Sequence, residues 1–348
     1  MTCIKILFVA DTHLGFDLPF KARVARRRRG HDFFANFERA LQPAFQGGID
    51  LVVHGGDLLF RTRVPPALVD MALTPLVRVA EHGIPIFLVP GNHERSRIPM
   101  QLWGYHPNLH IFDRPRTFIC PAKGIKLGLA GFPFVRDVRT KFRDLLEQTG
   151  YQRTDAGIYV LCIHQAVEGA QVGPTNYTFR SGADVISGPD IPGDVAVVLS
   201  GHIHRAQVLT RDLRGGRLAA PVIYPGSIER TSFAERNEPK GYQIISICEA
   251  DSDQAVQVKS DFVQLPARPM VDLHLNPERV EDVYLMKHVK DALDRLDPDS
   301  IVRLYFDNLP GPWISSILSA AKLRKIAPER MNISLASIHR QERTADNA

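Results

Sequence analysis

Short apolar runs alternate with longer amphipathic stretches through the first part of the chain. Ile4 to Ala10, Asp50 to His54 and Ile84 to Val89 are strand-length runs without a helical period. Between them, Asp32 to Phe45 carries Phe33, Phe34, Phe37, Leu41 and Phe45 at helical spacing, and Gly47-Gly48 stops it. Pro65-Pro66 opens a second helix over 66–82, which Gly83 closes. The order is strand, helix, strand, helix, strand, so these strands are predicted to pair in parallel with right-handed crossovers.

The pattern then changes. Strands are predicted near 109–112, 117–120 and 125–130, with a helix at 137–149. Further strands at 158–163, 195–199, 206–210, 221–224, 241–247 and 256–263 follow with short connections, which predicts a second, largely antiparallel sheet. Residues 165–194 read as a long polar, glycine-rich loop with Tyr177, Phe179 and Arg180, a length typical of functional loops. Two sheets face to face with helices outside, a four-layer α/β/β/α sandwich, is the architecture predicted for residues 1–265. The Leu265-Pro-Ala-Arg-Pro segment reads as a linker. A small α/β unit follows over 270–340, with strand 270–275, helix 278–296, strand 300–306, helix 312–326 and strand 331–335. Residues 341–348 form a polar tail expected to fray.

Composition changes this picture little. At 348 residues the chain can hold one large core or two smaller ones. Its 44% hydrophobic and 23% charged content is that of an ordinary globular protein. No apolar run approaches a membrane span, and Met1 to Lys5 enters a strand without a signal-peptide pattern. Cys3, Cys120, Cys162 and Cys248 lie in apolar segments without CxxC spacing, and are expected to be reduced core residues of a cytoplasmic protein. The net charge of +5 permits a nucleic-acid partner without requiring one. Its distribution matters more: Arg26, Arg27, Arg28 and Arg29 follow the first strand in a polar arm. That arm is either a solvated loop face or a grip for phosphates at the mouth of a site.

The chemistry lies at the strand ends. The first apolar run delivers Asp11 and His13, the second delivers Asp57 through Gly55-Gly56, and the third delivers Asn92 and His93 through Pro90-Gly91. Ile158 to Ile163 delivers His164, and Val195 to Leu199 delivers His202 and His204. A single histidine is usually a satisfied core or loop residue; five strand ends converging on Asp, Asn and His are not explained that way. Asp11, Asp57 and Asn92 offer oxygen, while His13, His164, His202 and His204 offer nitrogen. Seven ligands suggest two metals sharing a carboxylate, and a mixed set without thiolate suits Mn²⁺, Fe or Zn²⁺ better than Ca²⁺. Two such ions about 3.5–4 Å apart clamp the attacking and leaving oxygens of a phosphoryl displacement.

Asp11-x-His13, Gly56-Asp57, Gly91-Asn92-His93-Glu94, His164 and Gly201-His202-x-His204 resemble the five signature blocks of calcineurin-like metallophosphoesterases, whose two sheets are both mixed. Asp11-Thr12-His13-Leu14-Gly15, the Asp32-Phe33-Phe34 helix, and Tyr224 to Phe233 with Glu238 to Gly241 are similar to the SbcD (Mre-type) DNA repair exonucleases. The resemblance covers about residues 1–265, and the terminal unit is similar to a shortened DNA-capping domain. It implies that Asp11, His13, Asp57 and His204 hold one metal and that Asp57, Asn92, His164 and His202 hold the other; four imidazoles among these ligands make Mn²⁺ the expected ion rather than the oxygen-preferring Mg²⁺. It also implies that His93 is the catalytic histidine acting on the leaving oxygen. Many archaeal and eukaryotic members carry a histidine three residues after the bridging aspartate. Phe60 stands there instead, followed by Arg61 and Arg63, further candidate substrate contacts. The resemblance therefore carries phosphodiester hydrolysis further than exonuclease action.

The partners implied are DNA, a second copy of the chain and an SbcC-type ABC ATPase, with no membrane. The dimer would form through the helix at 66–82 and a segment near 99–106, where Leu68, Met71, Leu102 and Trp103 form the expected apolar face. The ATPase would use a further carboxyl-terminal helical segment, for which the sequence shows no room. The leading reading is a Mn²⁺-dependent DNA repair nuclease, a 3′–5′ exonuclease or single-strand endonuclease. The alternatives are a phosphodiesterase for a small or cyclic nucleotide and a non-catalytic binding scaffold. The intact ligand set argues against the scaffold, and the basic arm with the Pro225 to Phe233 block favours DNA.

Overall fold

The structure is a computed structural model that describes residues 2–18, 27–94, 106–249, 256–276, 282–306, 314 and 317–336. In chain order the elements begin β1 (Cys3–Val9), α1 (Arg29–Gln46), β2 (Leu51–His54), α2 (Pro66–Glu81), β3 (Ile86–Leu88), β4 (Leu109–Ile111), β5 (Arg116–Ala122) and β6 (Ile125–Gly131). Next come α3 (Val138–Thr149), β7 (Ile158–Ile163), β8 (Ala166–Val167), β9 (Gln171–Val172), β10 (Tyr177–Thr178), β11 (Val185–Ile186) and β12 (Val197–Ser200). The first unit ends with β13 (Gln207–Arg211), β14 (Arg217–Tyr224), β15 (Gly241–Glu249) and β16 (Val256–Gln264). The second holds β17 (Met270–Leu275), α4 (Asp282–Leu293), β18 (Ile301–Phe306), α5 (Ala320–Ile326) and β19 (Asn332–Leu335).

The chain divides into two compact units, Met1–Pro19 with Gly30–Ala267, and Phe20–Arg29 with Arg268–Ala348. In the first unit, one sheet has the order β16-β15-β1-β2-β3-β4 and the other β13-β14-β12-β7-β6-β5. Alternation along the strands makes the layers. On β1, Leu7 and Val9 pack with Phe33, Phe37 and Leu41 of α1 and Leu73 and Leu76 of α2. Ile4, Ile6 and Phe8 point the other way, against Leu127, Leu129, Val160 and Leu199 of the second sheet. The outer face of that sheet, with Leu161, Ile163 and Val198, packs on Phe142 of α3 and on residues of the 165–194 stretch. The result is the four-layer α/β/β/α sandwich.

Four details differ from the sequence reading. The second sheet is mixed, as the family resemblance implied, rather than largely antiparallel, as the short connections suggested: β6, β7, β12 and β14 pair in parallel, and only the flanking β5–β6 and β13–β14 pairs are antiparallel. Crossover connections through α3 and the 165–194 stretch impose parallel pairing, and β15 and β16 leave to complete the first sheet, antiparallel to β1. The 165–194 stretch itself holds two small pairings, β8 with β11 and β9 with β10. The helix expected over 312–326 is broken at Leu318–Ser319, where the Ser319 hydroxyl accepts the Lys322 N–H and caps α5.

Cysteine is the fourth. Cys3 and Cys248 are joined by a disulfide across 245 residues of sequence, while Cys120 and Cys162 are free and buried. Antiparallel pairing of β1 with β15 sets Cys3 directly opposite Cys248, with Cα atoms 4.1 Å apart. No local spacing signals such a pair. The inference from reduced cysteines to a cytoplasmic location therefore falls away. Among the described residues, no helix is long and apolar enough to cross a membrane.

The expected dimer face also changes. Leu68 is buried in the α1–α2 core rather than offered outward, because its side chain fills the space beside Gly15; Met71 is exposed. Leu102 and Trp103 lie outside the described residues.

Candidate metal centre

Five strand ends meet at one edge of the two sheets. β1 ends in Asp11 and His13, β2 in Asp57, β3 in Asn92 and His93, β7 in His164, and β12 in His202 and His204. Asp11, His13, Asp57 and His202 all have φ between 43° and 81°, the left-handed region. Such backbone costs roughly 1–3 kcal/mol per residue and persists where the surroundings over-determine it. Here the turns are pinned by Asp11 N–H to Gly56 O at 2.9 Å and His13 N–H to Asp57 O at 3.0 Å. Glycine makes the close approach possible: a Cβ on Gly91 would sit 2.1 Å from Asp57 Oδ1, and one on Gly56 would sit 2.3 Å from His164 Nδ1.

The donors converge in two overlapping sets. His13 Nε2 and His204 Nε2 are 2.9 Å apart, and the Asp11 carboxylate completes a group whose ligand atoms lie within 4.8 Å of one another. On the other side, Asn92 Oδ1 lies 3.1 Å from His164 Nε2 and 2.9 Å from His202 Nδ1, and Asp57 Oδ2 is 3.5 Å from His164 Nε2. Asp57 also stands 3.9 Å from His13 Nε2, so one carboxylate faces both sets. Asp11, Asp57 and His164 form another such group, and so do His13, Asp57 and His93.

Hydrogen bonds fix which ring nitrogens face inward. His164 Nδ1 lies 2.7 Å from Gly55 O and donates to it, which leaves Nε2 as the inward acceptor. His204 Nδ1 is 3.3 Å from Glu235 Oε1, and His93 Nδ1 is 2.7 Å from Phe60 O, with the same consequence. His13 Nδ1 is buried without a hydrogen-bond partner. Two imidazole nitrogens 2.9 Å apart beside a carboxylate are held together by a shared proton on His204, whose pKa Glu235 and Asp11 raise against burial, or by a metal ion in its place. The donor set therefore fits divalent metal ions.

Electrostatics agree. Burial lowers the His13 pKa far below the ordinary imidazole range, and the neighbouring His204 adds to it. Burial also brings His202 down to about 3. It raises Asp11 to about 6 against the pull of His164 and His204. On Asp57 burial pushes upward, but His164, His13 and His93 hold the carboxylate well below its usual range. Burial opposes charge on His164, yet the Asp57 carboxylate outweighs it and lifts the pKa to about 9. Metal on Nε2 would replace that proton.

Several supporting residues have no site-like signature in the sequence. Glu94 is buried, and its carboxyl accepts N–H groups of Asp57 (3.2 Å), Leu59 (2.8 Å) and Gly91 (2.8 Å), tying two ligand turns together. Burial and the Asp57 charge raise its pKa to about 8. Behind His204, Glu235 accepts from the Thr231 hydroxyl at 2.7 Å and pairs with buried Lys240 at 2.7 Å. Burial resists ionisation of Glu235, but His204 and Lys240 hold its carboxyl well below the usual range. His54, neutral through burial with a pKa near about 3, bonds Thr12 and the Gly56 N–H beneath Asp57. The sequence showed these only as members of longer runs.

His93 differs from the other histidines. Its ring is a third exposed, its backbone N–H donates to Asp57 Oδ1 at 2.9 Å, and its ring Nε2 is 3.8 Å from Asp57 Oδ2. The basic candidates separate. Arg61 and Arg63 are exposed, with the Arg61 guanidinium 5.5 Å from the Phe60 ring centroid. Arg27, Arg28 and Arg29 fall in the second unit, where Arg27 donates to Asp299 at 3.4 Å. Arg26 lies outside the described residues.

A family model described as calcineurin-like phosphoesterase matches residues 4–206. The DNA double-strand break repair protein Mre11 of Methanosarcina acetivorans is 31% identical over 310 residues, covering 86% of this chain and 45% of that one. The Mre11 protein of Aeropyrum pernix is 25% identical over 288 residues, covering 78% and 63% respectively. The chain thus spans about half the length of the curated relatives it matches. Among solved structures, a dimetal phosphatase from Danio rerio matches with a TM-score of 0.43 at 9% identity, over 70% of this chain and 94% of that one.

Proposed function

The chain belongs to the calcineurin-like phosphoesterase family, and on that premise we propose that it hydrolyses DNA phosphodiester bonds, as a 3′–5′ exonuclease or single-strand endonuclease. The carrying observation is the pair of donor sets that share Asp57. In this reading Asp11, His13, Asp57 and His204 hold one ion, and Asp57, Asn92, His164 and His202 the other. When bound, two divalent ions supply a nucleophile at neutral pH and neutralise charge on the phosphate oxygens. Mn²⁺ suits a set with four imidazoles better than Mg²⁺, which prefers oxygen.

The chain's own residues do the rest. Gly55 O and Glu235 accept from Nδ1 of His164 and His204 and so orient both rings, which turns each Nε2 inward where a metal can take the place of its proton. His93, oriented by Phe60 O, presents Nε2 beside Asp57 and stabilises or protonates the departing oxygen. DNA as substrate is supported by the names of the Mre11 relatives and by the basic residues of the arm.

The test offers the protein labelled single-stranded DNA, duplex DNA and a cyclic nucleotide with Mn²⁺, Mg²⁺ or chelator. Cleavage of DNA with Mn²⁺, little with Mg²⁺ and none with chelator is expected. Turnover of the cyclic nucleotide alone would replace this reading with that of a small-nucleotide phosphodiesterase.

A further inference from the structure

The donor set of Asp11, His13, Asp57 and His204 draws on both sheets. Asp11 and His13 follow β1 and Asp57 follows β2, whereas His204 follows β12 of the second sheet. Its geometry therefore depends on what holds one sheet end against the other. In the other set a backbone group makes that tie, since His164 Nδ1 bonds Gly55 O just past β2. The His204 ring is held by a side chain instead, Glu235. His13, its neighbour in the set, has Nδ1 buried without a partner and cannot fix the separation itself.

Lys240 closes this gap. It stands immediately before β15, in the first sheet, and its side chain is fully buried. The ammonium meets three acceptors with its three donors: His204 O at 3.0 Å, Glu235 Oε2 at 2.7 Å and Glu238 Oε2 at 3.2 Å. Burying an ammonium is costly unless its partners are complete, as they are here. Two of these bonds act on one residue, for Lys240 holds His204 directly by its carbonyl and indirectly by its ring, through Glu235. The anchor is itself fixed: Lys240 O accepts the Leu265 N–H at 2.8 Å, and Glu238 accepts from Arg205 Nε at 3.0 Å. We propose that Lys240 is a positioning residue that ties His204 across the two sheets, so that the ion of this set depends on it and the ion of the other set does not. The proposal rests on the reading of two donor sets that share Asp57.

Calorimetric titration of the metal-free full chain with Mn²⁺ tests this, beside melting curves in chelator. Lys240→Met removes the ammonium but leaves two buried carboxylates without their cation. Lys240→Met/Glu238→Gln removes one of those charges and keeps Glu235 on His204. The double variant should melt in chelator close to wild type. One ion should bind it about 10- to 100-fold more weakly, the range for losing a partner of a ligating histidine, and the other as in wild type. In a His204→Ala background the same two changes should weaken binding no further, because the group they position is gone. A double variant that stays unstable in chelator, binds both ions like wild type, weakens both alike or loses more in the His204→Ala background would overturn the proposal. If wild type takes up a single ion, the two-ion reading fails, and Lys240 is judged on that ion: the same weakening supports the tether, and unchanged affinity ends it.

Discussion

At the metal centre four of the seven candidate ligands sit in left-handed backbone just past strand ends, whereas His274 and Tyr305 occupy regular in-register positions inside parallel strands. The first place is buried and strained, and it is held by a surrounding shell: Glu94 under two turns, Glu235 behind His204, and Gly91 and Gly56 leaving room for Asp57 and His164. The second place carries little strain. Its order comes from strand pairing and the Arg303–Asp272 salt bridge. The difference bears on how each should respond to change. A strained, interdependent site fails as a unit when one shared member is lost. A regular sheet face loses only the contact that is removed.

The largest expected effect follows from the shared carboxylate. Asp57→Ala removes the group facing both donor sets, so metal content and turnover should fall together, turnover by roughly 10⁴-fold or more. Elemental analysis of the purified variant beside a hydrolysis assay checks this. The same measurements on His274→Ala should show neither loss. If Asp57→Ala retained both ions, the idea of one interdependent centre would be wrong.

His93 comes next. Its Nε2 lies near Asp57 and His13, yet the two donor sets are complete without it. His93→Ala should keep metal content and melting temperature near wild type and lower kcat by roughly 10²–10³, the scale of a contact made in the transition state. Loss of an ion in this variant would instead make His93 a ligand of the His13–Asp57–His93 group. That would redraw the centre.

The same contrast explains what could be read in advance. A ligand at a strand end leaves a compact trace: an apolar run, a glycine, then Asp, Asn or His within a few residues. Asp57, His164 and the His202–His204 pair all have that form, and so the layered fold and the donor set were legible. Pairing across distant strands leaves no such trace. His274 and Tyr305 stand opposite one another only through the β17–β18 register, and Cys3 meets Cys248 only through β1 and β15. Strand direction in the second sheet was misread for a related reason, since crossovers through α3 and the 165–194 stretch set it rather than any local pattern. Glu235 and Lys240 were visible only as letters in a longer block, because a buried charge that orients a ligand has no sequence period.

That buried charge supplies a smaller effect. Glu235 holds the Nδ1 proton of His204 and is itself held by Thr231 and Lys240. Glu235→Gln keeps the shape and removes the charge, so metal affinity should fall about 10- to 100-fold, as for other partners of ligating histidines. Competitive titration with a chromophoric chelator reads it directly. An affinity equal to wild type would mean that the strained turns alone position His204.

Proton competition gives the gentlest test, and its sign can be worked out from the site. In the metal-free protein the Asp57 carboxylate outweighs burial and keeps His164 protonated up to about pH 9. A metal needs the unprotonated Nε2, so each ion bound there displaces one proton below that pH. Its affinity should therefore rise about tenfold per pH unit from pH 6 towards pH 9, then level off. Asp11, whose pKa burial raises to about 6, should add a second proton and steepen the dependence below that pH. Chelator competition at half-unit pH steps gives the slope. A flat profile between pH 6.5 and about 8.5 would show that His164 carries no proton there, and that Asp57 does not hold the centre's charge in the way its position suggests.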